Sequence, residues 1–193
     1  IQYVKKTFNF NDNKSIDYFR REVAMLKEAK IDGMPFLRFY GYNPLDHGES
    51  FLLTEYFENG SLEDAISDKF AKDKDDGKYD TDKMKIFYGI AFGLKYLHNR
   101  NIIHRDIKPE NIFLNEELDP FIGDFGFARV FKEGIKITGS IGTIYYMAPE
   151  IIDEDSVEPD KSIDVYSFAI TVLQTLQCSL TLEIDDGNTI SID

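Results

Sequence analysis

The run His104-Arg105-Asp106-Ile107-Lys108-Pro109-Glu110-Asn111 brings carboxylate, ammonium and carboxamide groups close together, and a further carboxylate follows in Asp124-Phe125-Gly126. Carboxylate and amide oxygens are hard acceptors that suit hard cations and hydroxyl protons. An ammonium group beside them offsets the charge of an anion, and a carboxylate near a hydroxyl accepts its proton. Singly these residues say little, because an isolated Asp is most often a surface carboxylate or a turn cap. The signal is their order, which extends upstream to Glu22 and to Lys5 and Lys6, and downstream to Ala148-Pro149-Glu150 and Asp164.

Hydrophobic periodicity predicts the elements that must position these groups. Residues 1–8 alternate as a strand, residues 9–14 form a polar loop, and a helix starts at about Ser15 or Asp17 with Phe19, Val23 and Leu26 on one face. Gly33 and Pro35 end it, and residues 36–42 and 50–56 read as two strands around a turn. Ser61 with Asp64 three residues on predicts another helix start, while residues 68–83, rich in Asp, Lys and Gly, predict a solvated loop. Asp80 or Thr81 caps a long helix with the face Met84, Phe87, Ile90, Ala91, Leu94 and Leu97. Short apolar pieces alternate with turns from 102 to 126, residues 127–147 are loop-like, and residues 163–176 predict a helix buried on almost every side.

The 193 residues include 35 acidic and 22 basic groups, a formal net charge of −13, and 42% are hydrophobic. That is apolar content enough for one domain, or one domain of two lobes. Net acidity opposes binding to phosphate backbones and anionic membranes, which argues against nucleic acid as a partner. The excess is local: residues 151–193 carry 10 acidic groups and one basic, so it does not point to a basic substrate. Cys178 is the only cysteine, which excludes an intrachain disulfide and fits a reducing, cytoplasmic compartment. No run approaches the ~18 apolar residues of a membrane span, and no signal peptide is expected.

Taken in order, these motifs resemble those of the eukaryotic protein kinases from Tyr3 to about Leu176. The resemblance implies an α+β, two-lobed fold in which residues 1–57 form a small β-rich lobe and hinge, 58–176 the core of a larger mainly helical lobe, and 177–193 a divergent tail, with both lobes incomplete. It implies ATP and Mg2+ as cofactors and protein serine or threonine hydroxyls as acceptors. Transfer of a γ-phosphoryl group spreads negative charge over the transition state, so the chemistry needs cations over the phosphates and a carboxylate near the attacking hydroxyl. By resemblance Asp106 is that base, Lys108 lies beside the transferred phosphate, and Asn111 and Asp124 hold magnesium. Glu22 matches the helix glutamate that positions a strand lysine, either Lys5 or Lys6. Val4, two residues before Lys6 and on the same strand face, matches the apolar residue against the adenine and favours Lys6. Thr54-Glu55-Tyr56-Phe57 resembles the segment joining the lobes, with the backbone of Glu55 and Phe57 at the adenine and Thr54 at the mouth of a hydrophobic pocket behind it.

Lys108 and Gly142-Thr143 resemble the serine/threonine type, and the wording Tyr88-Gly89-Ile90-Ala91 and Tyr96-Leu97-His98 is most similar to tyrosine-kinase-like members expanded in protists. Arg105 is implied to pair with a phosphate on Thr138 or Ser140, added by an activating kinase or by self-phosphorylation. Leu26, Phe39, His104 and Phe125 are implied to stack between the lobes, and Asp164 to brace the loop that carries Asp106. His98 reads as a helix-end residue.

Residues 1–10 contain no glycine, so the family's Gly-rich phosphate lid is expected to be missing here, as from part of a longer chain. Residues 177–193 alternate like a strand around Asp186-Gly187-Asn188, and Glu150 is expected to lack its arginine partner. Two functions compete: ATP-dependent phosphorylation of proteins in signalling, and a catalytically inactive kinase-like scaffold. The intact set Lys6, Glu22, Asp106, Asn111 and Asp124 favours the first.

Overall fold

The computed structural model describes residues 2–10, 13–28, 33–44, 49–72, 77–131, 144–152, 160–177, 180–183 and 189–192. Near the N-terminus, β1 (Tyr3–Phe8) pairs antiparallel with β3 (Ser50–Glu55), which pairs on its other edge with β2 (Phe39–Asn43). In β3 the side chains of Ser50, Leu52 and Thr54 are buried and those between them are half-exposed, as a strand covered on one face requires. The register sets Lys6 opposite Leu52 and Val4 opposite Thr54. Between β1 and β2 runs α1 (Asn13–Glu28), whose buried face is Phe19, Glu22, Val23, Met25 and Leu26. Four apolar neighbours thus carry one carboxylate inside.

Ser61 starts α2 (Leu62–Ala65) with a reciprocal cap. Its N–H donates to Asp64 Oδ2 at 2.7 Å, and the Asp64 N–H donates to Ser61 Oγ at 3.2 Å. The loop expected over 68–83 is shorter than that, because Ile66–Phe70 adds a wide helical turn. Phe70 is fully buried against Tyr79, and Lys83 is buried with its ammonium 5.3 Å from the Phe70 ring. A single aromatic anchor outweighs the surrounding charge.

The larger part is arranged around α3 (Asp80–Asn99), with Ile86, Ile90, Leu94 and Leu97 innermost. Met84 and Ala91, expected on this face, are exposed. The helix instead turns Gly89 and Gly93 toward the hairpin of β5 (Ile112–Leu114) and β6 (Pro120–Ile122). A Cβ on Gly89 would lie 2.4 Å from Pro120 and one on Gly93 2.7 Å from Ile122, so the close approach needs glycine at both. A second two-stranded ladder joins β4 (Ile102–Ile103) to β7 (Arg129–Val130).

After α4 (Pro149–Ile152), α5 (Ser162–Gln177) departs from the apolar, wholly buried helix that its sequence predicts. Its inner face is largely polar, with Asp164, Ser167, Thr171, Gln174 and Thr175 buried, while Val165, Leu173 and Leu176 are exposed. Hydroxyls make this feasible. Ser167, Thr171 and Thr175 each donate to the carbonyl four residues back, so they enter the core already satisfied. Finally β8 (Leu180–Glu183) pairs antiparallel with β9 (Thr189–Ile192), as the alternation predicts. The result is α+β, a small sheet-bearing part followed by a larger helical one.

Candidate active site

Two loops at the ends of short strands carry the polar groups. The first, His104 to Asn111, joins β4 to β5 and is tied down by Asp164 at the start of α5. The Asp164 carboxylate has no exposed surface and accepts from the His104 N–H at 2.9 Å and the Arg105 N–H at 2.8 Å. His98 Nε2 lies 2.8 Å from its Oδ2, a contact beyond the helix-end role expected for that residue. Arg105 is held at φ 72°, a left-handed conformation that costs an L-residue about 1–2 kcal/mol. The His104 ring is fully buried, 5.0 Å from the Phe125 ring. Its Nδ1 accepts from the Asp106 N–H at 3.3 Å, so the proton sits on Nε2, which donates to the Gly123 carbonyl at 3.0 Å. This histidine is a packing and orienting group.

Backbone geometry thereby aims Asp106. Its Oδ2 accepts from Asn111 Nδ2 at 2.7 Å and faces Lys108 Nζ at 3.5 Å. Asn111 Nδ2 also donates to the Asp106 carbonyl at 2.8 Å, so both of its contacts with Asp106 use the amide nitrogen and not Oδ1.

The second loop, between β6 and β7, holds Asp124 at φ 56° and ψ 69°. Lys6 reaches it from β1. Lys6 Nζ donates to both oxygens of Glu22, at 3.0 and 3.1 Å, and lies 3.5 Å from Asp124 Oδ2. Lys5 points elsewhere and pairs at the surface with Glu49 at 2.5 Å. Of the two lysines, Lys6 is therefore the one that meets Glu22. Tyr18, one turn before Glu22 on α1, donates its hydroxyl proton to Asp124 and accepts from Lys6 at 3.3 Å. Thr54 is buried on β3, Val4 is exposed beside it, and the Phe57 ring packs on Phe121 at 4.9 Å.

The sequence profile described as "Protein kinase domain" matches residues 1–192. The chain belongs to the protein kinase domain family. It is 33% identical over 192 residues to the probable serine/threonine-protein kinase kinY of Dictyostelium discoideum, covering 90% of this chain and 32% of that protein. It is 36% identical over 178 residues to the LRR receptor-like serine/threonine-protein kinase ERECTA of Arabidopsis thaliana, covering 90% of this chain and 17% of that protein. A putative serine/threonine-protein kinase/receptor of Acanthamoeba polyphaga mimivirus is 36% identical over 169 residues, 86% of this chain and 9% of that protein. The kinase domain thus spans about a third or less of the length of these relatives.

Within this kinase domain Leu26, Phe39 and Phe125 lie in one core cluster, and Phe36 adds a ring 5.8 Å from Phe125 that the motifs did not indicate. Gly126 lies directly under the Tyr18 ring, where no Cβ would fit. Glu150 is not bare, since Ser162 donates to it at 3.4 Å. Thr138, Ser140 and Thr143 lie outside the described residues. Three arginines gather near the start of that segment. Burial, and then the charges of Arg129 and Arg21, lower the Arg105 guanidinium to about 10, and Arg21 Nη1 is buried without a hydrogen-bond partner among the described residues. Spacing alone did not single out Tyr18, Arg21 or Arg129, although Tyr18 and Glu22 are four residues apart and so share a helix face.

Electrostatics separate the two carboxylates that face Lys6. Burial raises Asp124, but Lys6, the Tyr18 hydrogen bond and smaller contributions more than offset it, and the carboxyl ends below its ordinary range. For Glu22 burial wins over the pull of Lys6 and lifts it from 4.5 to about 7. A raised folded-state value means that the folded chain retains the proton between pH 4.5 and about 7, where the unfolded chain has lost it. The contribution of Glu22 to stability is therefore full below pH 4.5 and declines as pH rises to about 7, while the ion pair with Lys6 strengthens over the same window. Urea midpoints measured across that window should fall more steeply for the unaltered chain than for Glu22→Gln. Equal slopes would refute the burial argument.

Proposed function

We propose that this kinase domain transfers the γ-phosphoryl group of ATP to serine and threonine hydroxyls of proteins in intracellular signalling. The observation that carries the reading is Lys6 held between Glu22 and Asp124, with Asp106, Lys108 and Asn111 forming a second polar group on the neighbouring loop. Lys6 binds the α and β phosphates and is kept in place by Glu22. Val4 and Thr54 flank the adenine, and the backbone of Glu55 and Phe57 meets its edge. Asp106 Oδ1, which carries no hydrogen bond among the described residues, accepts the proton of the attacking hydroxyl, and Lys108 offsets charge on the group in transfer.

The residues present fit magnesium. Asp124 and Asn111 Oδ1 offer two oxygen donors, and Mg2+ is bound through one or two carboxylates plus substrate phosphates, without a protein cage. Asp124 and Asn111 would hold it, and when bound it neutralises phosphate charge. No described helix is long and apolar enough to cross a membrane, and the single cysteine supports a cytoplasmic assignment.

The test is transfer of labelled γ-phosphate from ATP with Mg2+ to protein acceptors, followed by identification of the modified residue. The expected product is phosphoserine or phosphothreonine. Nucleotide binding with no transfer, in this chain and in a longer version alike, would favour a scaffold instead. Arg105, Arg21 and Arg129 support a regulatory step as well, since a phosphate on Thr138 or Ser140 would relieve their mutual repulsion through charge-assisted hydrogen bonds. Replacing both Thr138 and Ser140 by alanine should lower activity severalfold. Full activity of that double variant, with neither site modified in active protein by mass spectrometry, would refute the step.

A further inference from the structure

We propose that Tyr18 is a latch on the metal-holding aspartate, engaged when the site is free and released when Mg2+ and nucleotide load. The inference rests on the kinase reading above and adds a residue to it.

Tyr18 reaches the site from α1, one turn before Glu22. Its hydroxyl donates to Asp124 Oδ1 and accepts from Lys6 Nζ at 3.3 Å. The ring is held edge-on by Phe127 at 5.0 Å and lies against Gly126, where a Cβ would come 2.0 Å from Tyr18 Cζ. Glycine at 126 is therefore what admits the ring. On the same carboxylate, Oδ1 also receives the Gly126 N–H at 3.4 Å, and Oδ2 faces Lys6 at 3.5 Å. Among the described residues, the hydrogen bonds and the ion pair on Asp124 are thus with donors or a cation of the protein itself.

A cation on Oδ1 would meet the positive end of the phenolic O–H dipole, so the hydroxyl and the metal compete for that oxygen. Lys6 is drawn into the same exchange. It now serves Glu22, Tyr18 and Asp124 together, and phosphate oxygens would have to take the place of the last two. The latch thus couples loading of the metal to loading of the phosphates.

Tyr18→Phe keeps the ring contacts with Phe127 and Gly126 and removes only the hydroxyl. A hydrogen bond to a charged group is worth enough that its loss should lower the Mg2+ concentration for half-maximal binding of a fluorescent ATP analogue by about tenfold. An unchanged Mg2+ requirement would overturn the proposal. A higher requirement would also overturn it, by making the hydroxyl a support for Asp124 in its metal-binding position. Asp124→Asn, measured alongside, tests the underlying reading and should abolish the Mg2+ dependence. If binding by the unaltered chain shows no Mg2+ dependence, the kinase reading of Asp124 fails and the latch with it. If that dependence is present and Tyr18→Phe does not lower it, the latch alone fails.

Discussion

Asp106→Asn should lower phosphate transfer by about 10²–10⁴-fold while leaving nucleotide affinity within about twofold. The expected rate effect is large because, on the proposed function, the substitution removes the positioned base and leaves the rest of the site in place. Asp106 is only 6% exposed, and its Oδ2 is fixed by Asn111 and Lys108, so under the proposed function Oδ1 would be the oxygen offered to a substrate hydroxyl. An amide is isosteric but cannot accept the proton. In one rotamer its nitrogen would also face the Asn111 amide nitrogen at hydrogen-bond distance, donor against donor, which favours the flipped amide and leaves an N–H toward the hydroxyl. Nucleotide affinity should hold because Lys6, Glu22 and Asp124 lie on other elements and make no hydrogen bond to Asp106. Initial rates and a nucleotide titration on the same preparations separate the two effects. An undiminished rate would remove Asp106 from the chemistry, and parallel loss of both quantities would mean that the substitution disturbs the whole site.

What the sequence displayed of this site depended on chemistry that tolerates few alternatives. The Asp106–Asn111 contact lies within one short loop motif, and the Lys6 to Glu22 approach follows from a strand face and a helix face that both turn inward. Contacts that bridge distant segments were hidden for a physical reason. Tyr18 and Asp124 are 106 positions apart, and His98 and Asp164 are 66 apart, so no local period relates them. The helix α5 misled in the opposite direction. Counting its apolar residues predicts burial all round, but Ser167, Thr171 and Thr175 satisfy their hydroxyls within the helix and take the inner face. For α3 the predicted face holds at Phe87, Ile90, Leu94 and Leu97 and misses at Met84 and Ala91, because glycines at 89 and 93 carry no hydrophobic weight and yet lie on the side that approaches the β5–β6 hairpin.

Asp164→Ala is expected to cost about 3–5 kcal/mol of stability, a large fraction of the 5–15 kcal/mol typical of a domain. The carboxylate is completely buried and accepts from two consecutive backbone N–H groups, those of His104 and Arg105, as well as facing His98. Alanine would strand both N–H groups, at about 1–3 kcal/mol each. Arg105 suffers twice, because the hydrogen bond to Asp164 Oδ1 is also what opposes relaxation of its left-handed φ of 72°. Once Arg105 relaxes, Asp106 next to it turns away from its aim, so activity should fall even at temperatures where the variant remains folded. Asp164→Asn separates the two consequences: one amide oxygen still accepts from one N–H, while the new NH2 faces the other donor, so a loss of intermediate size is expected. Urea titrations of the three proteins, with transfer rates measured well below each midpoint, give the comparison. An alanine variant within about 1 kcal/mol of the unaltered chain would show that the loop holds its shape without Asp164, and that the aim of Asp106 is set by His104 and Asn111 instead.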